Sequence, residues 1–93
     1  MSTPPEISKI LFQLSISSPY VKFCWDYLFI HEAAPFRDIL AASKSDDFWP
    51  IKTSLDTLKR MGLVEERGEV WALTSEGKKV RDVQAVIRPL AVV

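Results

Sequence analysis

The sequence predicts a mainly α-helical chain carrying one small antiparallel β-hairpin, with extra helices at its N- and C-terminal ends. Three observations point there. Apolar residues recur at spacings of three and four through most of residues 4 to 61, the period of one helix face. Helix-start residues stand directly ahead of those stretches, at Ser18-Pro19, Pro35 and Asp47. Between Leu63 and Leu73 the apolar period falls to two on either side of Arg67-Gly68, as in paired strands joined by a tight turn.

Residues 4–16, PPEISKILFQLSI, form the first expected helix. Pro4 and Pro5 suit a first turn, and Ile7, Ile10, Leu11 and Leu14 make one stripe. A frayed N-terminal arm is the alternative. Ser18 caps a second helix from Pro19 to about Ile30, with Val21, Trp25, Leu28 and Phe29 inward and Cys24 packing as a small apolar residue. His31 falls at its C-terminal end, where a cation suits the helix dipole. A short helix spans Pro35 to Ala42, turning Phe36, Ile39 and Leu40 inward, and Ser43-Lys44-Ser45 follows as a turn. Asp47 caps the next helix, about 48–61, whose stripe is Phe48, Ile51, Leu55 and Leu58 and whose stop is Gly62.

The hairpin follows at 63–73, with Trp71 and Leu73 on one face. Thr74 caps a last helix, roughly Ser75 to Arg88. Gly77 costs helix propensity there, and is expected to let that helix lie close against the hairpin. Pro89 limits the helix ahead of an apolar tail, LAVV.

Composition narrows the function. The 93 residues, 47% hydrophobic, suit a single domain over 1–93. Twelve basic and 12 acidic residues give a net charge of zero, so any DNA-binding surface must come from segregated charges. One cysteine excludes an intrachain disulfide, and one cysteine with one histidine cannot supply a protein zinc site. No metal or cofactor is expected. No apolar run is long enough to span a membrane. The opening MSTPPEISK lacks a basic segment followed by an apolar one, so it does not read as a secretory signal, and the expected compartment is the cytoplasm. With no Gly-rich phosphate loop, no Ser/His/acid set, and acids that are merely adjacent at Asp46-Asp47 and Glu65-Glu66, catalysis is not expected.

Two short helices joined by a tight turn and followed by a hairpin make a winged helix-turn-helix. Over about residues 19–82 the chain resembles the winged-helix transcription regulators of the MarR, ArsR and PadR kind. The resemblance lies in Ile39-Leu40-Ala41, in the Ile51, Leu55, Leu58 rhythm, in Gly62-Leu63-Val64, and in Trp71-Ala72-Leu73-Thr74-Ser75-Glu76-Gly77. The last stretch matches the family pattern aromatic, x, Leu, Thr, x, x, Gly. The chain departs from the family at Lys44 and Asp46, where relatives carry apolar turn residues and where Phe48 is expected to fill the space. It departs again in its short, acidic wing tip, Glu66-Arg67-Gly68-Glu69.

The resemblance implies that the helix at 48–61 enters the major groove of double-stranded DNA. Its outward residues would then be Trp49, Lys52, Thr53, Asp56, Lys59 and Arg60. Lys52 would donate to guanine, Thr53 would read a base edge or a thymine methyl, and Asp56 would accept from a cytosine amine. Lys44, Ser45, Lys59 and Arg60 would hold phosphates, and Arg67 is the wing-tip cation. The alternative for each charge is plain solvation. Trp49 either stacks at a contact or folds back as core or dimer surface, and the rarity of exposed tryptophan favours the second. The apolar residues of the terminal segments, 4–16 and 83–93, exceed what a winged-helix core can cover, so those segments are expected to pair two copies. The rival function is a winged helix that binds protein within a larger assembly.

Overall fold

A computed structural model describes residues 5–87. The elements run α1 (Pro5–Ser15), α2 (Pro19–His31), β1 (Ala33–Pro35), α3 (Phe36–Ser43), α4 (Trp49–Arg60), β2 (Val64–Arg67), β3 (Val70–Leu73) and α5 (Ser75–Ile87). The chain is thus mainly helical with a small antiparallel sheet. That sheet has three strands in the order β1-β3-β2, one more than the hairpin expected. Pro4, Pro89 and the LAVV tail, and with them residues 88–93 of the second terminal segment, lie outside the described residues.

The helix punctuation works as local chemistry dictates. The Ser18 hydroxyl accepts from the Val21 amide at 3.3 Å, satisfying a first-turn donor of α2. At the far end of α4, Gly62 takes φ +79°, which is open to glycine at no steric cost. The Gly62 amide then donates to Lys59 O (3.0 Å) and the Leu63 amide to Leu58 O (3.1 Å). These two bonds, with Leu58 against Leu63, make a Schellman stop.

Three local expectations are corrected. Pro35 belongs to β1 rather than to the helix: it pairs with Val70, and α3 begins at Phe36. The edge of a sheet tolerates the missing proline donor. Here the neighbouring Phe36 amide makes the cross-strand bond instead, to Glu69 O at 3.2 Å. Asp47 stands one residue too early to be the helix cap. Phe48 occupies that position without a side-chain bond, although Asp47 Oδ1 still accepts from the Trp49 amide at 3.1 Å. Phe48 lies outside the helix proper and does not turn inward or fill the turn; it stays 43% exposed, edge-on to Phe36.

The core is one cluster. Cys24, Trp25 and Leu28 of α2 meet Ile39 of α3, Ile51, Leu55 and Leu58 of α4, and Val64, Trp71 and Leu73 of the hairpin. Small residues bring α2 and α4 together: the Cys24 sulfur sits 3.9 Å from Ile51 O, and Ser54 is buried with its hydroxyl returned to Pro50 O. Burial raises the Cys24 thiol to about 12, so it stays protonated and acts as a packing group.

The terminal helices join this core instead of standing apart from it. Leu14 and Val80 are buried, while Ile7, Ile10 and Leu11 pack against the cluster. Trp25 Nε1 donates to Gln84 Oε1 at 2.7 Å, tying α2 to α5. The expectation that mid-chain residues alone close the core is corrected, because Leu14 and Val80 belong to it. Phe12, Ile16 and Val86 do remain outside, at 63%, 68% and 77% exposure.

Gly77 is buried where α5 crosses the base of the hairpin. A Cβ there would meet Leu63 O at 2.0 Å, so contact is with main chain that cannot swing away. Gly77→Ala is expected to destabilise by about 2–3 kcal/mol, although the same change in an exposed helix stabilises by about 1 kcal/mol. Urea denaturation checks it: the midpoint should fall at unchanged slope.

Glu32 ends α2 at φ +65°, rare for a non-glycine residue. Its amide bonds Leu28 O at 2.8 Å, its carbonyl accepts from Leu73 N at 2.9 Å, and its carboxylate takes Arg81 Nη1 at 2.5 Å. The hydrogen bond and charge of Arg81 hold the carboxyl below its ordinary value of 4.5. A lowered folded-state value gives stability that is present above the ordinary value and lost as pH falls through the folded one. The stability gap between wild type and Glu32→Gln should therefore be full at neutral pH and close on acidification below about 4.5, as thermal unfolding at stepped pH would read.

Candidate nucleic-acid interface

The outward face of α4 is set by its inward one. Ile51, Leu55 and Leu58 are completely buried, which fixes the helix's rotation and turns Trp49, Thr53, Asp56 and Arg60 to the other side. Those four lie at i, i+4, i+7 and i+11, one continuous ridge. Trp49 is 61% exposed, so it is neither core nor covered by α3. Its ring lies 4.5 Å from that of Phe48, tilted by 31°.

Lys52 and Lys59 flank this ridge on the hairpin side. Lys52 Nζ sits 3.1 Å from Asp56 Oδ1 and 5.0 Å from the centroid of Trp71. Lys59 Nζ lies 3.9 Å from Glu66 Oε1 and 6.0 Å from the same ring. The two ammonium groups thus converge on the indole of β3, each also facing a carboxylate. Lys52 is half-buried and turned toward the hairpin, not projected straight off the helix as its sequence position suggests.

The turn before α4 consumes Ser45. Its hydroxyl donates to Asp47 O and accepts from the Asp47 amide, while its own amide bonds Ser43 Oγ. Lys44 holds φ +57° just after α3 with its side chain exposed. Among the described residues, Lys44 and Arg60 form no ion pair.

Arg67 does not join the group. Strand alternation puts Val64, Glu66, Trp71 and Leu73 on the α4 side of the hairpin and Glu65 and Arg67 on the other, where these two pair with each other. The cations of the face, Lys44, Lys52, Lys59 and Arg60, are matched in number by the acids Asp46, Asp47, Asp56 and Glu66. The surface is close to neutral over distances of a Debye length.

Sequence reasoning missed a cleft of about 510 Å³ between α3, the start of α4 and the hairpin. Phe36, Phe48 and Trp71 form its aromatic walls, with Lys52, Glu66 and Glu69 at its rim. It exists because the Phe36 amide docks on Glu69, drawing α3 to the hairpin tip, and no local pattern encodes that approach. Among the described residues no group of histidine, cysteine and acidic side chains is arranged to hold a metal, and no helix is long and apolar enough to cross a membrane. Comparison with models of protein families, with characterised proteins and with solved structures finds no match to the chain.

The carboxylate partners decide how available the lysines are. A partly exposed i,i+4 pair is worth only about 0.3–0.5 kcal/mol. A Lys52→Ala, Asp56→Ala double-mutant cycle in denaturation should return a coupling of no more than about 0.5 kcal/mol. A value several-fold larger would mean that Lys52 is locked and unable to turn to a ligand.

Proposed function

We propose that the chain is a winged helix-turn-helix that binds double-stranded DNA as a small transcriptional regulator, with α4 in the major groove and the β2–β3 hairpin as a short wing beside it. The observation that carries this is the ridge of Trp49, Thr53, Asp56 and Arg60, a side-chain row on a helix whose opposite face is fully anchored. A helix of this width fits the major groove, and Thr53 and Asp56 are suited to base edges. Arg60 and Lys44 are the phosphate contacts already free to act. Lys52 and Lys59 are recruited by exchanging a carboxylate for a phosphate, at a cost of about 0–1 kcal/mol for each exposed pair.

Duplex selected from a random pool tests the reading. Binding should weaken with salt at a log-log slope between about −1.8 and −3.6, at about −0.9 for each of two to four phosphates neutralised. Arg60→Ala should reduce that slope by about 0.9 on every sequence, whereas Lys52→Ala should weaken selected sites more than random DNA. Failure to select any duplex would overturn the reading. The compensated charges and the exposed Phe48-Trp49 pair favour a second reading, a protein-binding winged helix, which predicts that failure.

A twofold dimer through the terminal helices goes with the first reading, because Phe12 on α1, Ile16 just after it and Val86 on α5 stand exposed. It would set two α4 helices about 34 Å apart for a pseudo-palindromic site. Sedimentation at micromolar concentration should show a dimer that Phe12→Glu dissociates, and a wild-type monomer removes this part of the proposal.

A further inference from the structure

We infer that the cleft between α3, α4 and the hairpin receives an unstacked nucleobase, so that the preferred ligand is duplex DNA carrying an unpaired base rather than a perfect duplex. This rests on the DNA reading above and names the feature that α4 and its neighbours select.

Phe48 lines the cleft and Trp49 lies outside it with its ring 4.5 Å from that of Phe48, and neither aromatic side chain is packed into the core cluster. Phe36 stands edge-on to Phe48 at 6.4 Å and 86°, and Trp71 closes the inner wall. The resulting 510 Å³ falls within the range of ordinary ligand pockets. The polar groups at the rim suit a base more than a phosphate. Glu66 and Glu69 are acceptors for the exocyclic amines of cytosine, adenine or guanine. Arg37, exposed on the same rim, and Lys44, beyond the α3 end, lie outside to meet the flanking backbone.

The electrostatics favour the same occupant. Lys52 and Lys59 already face carboxylates, which offsets part of the attraction for phosphate. Base stacking on aromatic side chains is insensitive to that balance, and each stacked base is worth roughly five- to hundredfold in affinity. A fully paired duplex hides its π-faces, whereas an extruded base presents one.

Fluorescence anisotropy of two labelled duplexes, identical except for a single bulged nucleotide, tests the inference. The bulged duplex should bind the full chain at least about fivefold more tightly. Phe48→Ala and Trp49→Ala, both at exposed positions, should erase the preference while retaining the cooperative unfolding transition, and Trp49→Phe should keep it. Equal affinity for the two duplexes overturns the inference and leaves the DNA reading standing. So does a preference that survives both alanine variants, which would report the flexibility of bulged DNA. Binding to neither duplex overturns both.

Discussion

The close approach of Gly77 to the Leu63 carbonyl holds α4, the hairpin and α5 together. Thr74 fastens the same spot from the other side. Its amide donates to Leu63 O, its hydroxyl donates to Gly62 O at 2.5 Å and accepts from the Gly77 amide at 3.0 Å, and its carbonyl receives the Lys78 amide. One small region therefore ends α4, starts β2, finishes β3 and starts α5. Glycine is required at 77 because main chain, not a flexible side chain, occupies the space a methyl group would need. The angle between α4 and the hairpin, on which the cleft depends, is set here before any ligand arrives.

A second joint works through Trp71. Its indole is buried beneath α4 while Lys52 and Lys59 reach over it, so the same side chain belongs to the core and to the site. Residues that look like free DNA contacts on a helical wheel are partly occupied in holding the hairpin. This division of labour explains why the face is nearly neutral: each lysine that braces the indole is also balanced by an acid, Asp56 or Glu66.

Much of the architecture could be read along the chain because the relevant forces are short-range. The Ser18-Pro19 start, the Gly62 stop and the Thr74 start each use bonds within a few residues. The spacing of Ile51, Leu55 and Leu58 declared which face of α4 would be buried. Readings failed where a distant partner intervened. Pro35 carries the marks of a first helical turn, yet a strand some 35 residues away claims it as an edge. Phe48 fits the apolar stripe by counting, but it sits at the cap, outside the helix whose periodicity the count assumed. Trp49 keeps to the outward face of α4 and does not fold back as core, the outcome that the rarity of exposed tryptophan favoured alongside a dimer contact.

The terminal helices show the same boundary at larger scale. Their amphipathic pattern announced that α1 and α5 must bury a face, since apolar area removed from water stabilises wherever it is removed. Pattern alone did not say whether the covering surface belonged to this chain or to a second copy. Folding answered for Leu14 and Val80, which close the core, and left Phe12, Ile16 and Val86 outside. Helix limits, turns and buried faces follow from bonds and periods that span a few residues. The third strand, the aromatic cleft and the orientation of Lys52 toward Trp71 arise from residues far apart in sequence, whose meeting is fixed only when the whole core packs at once.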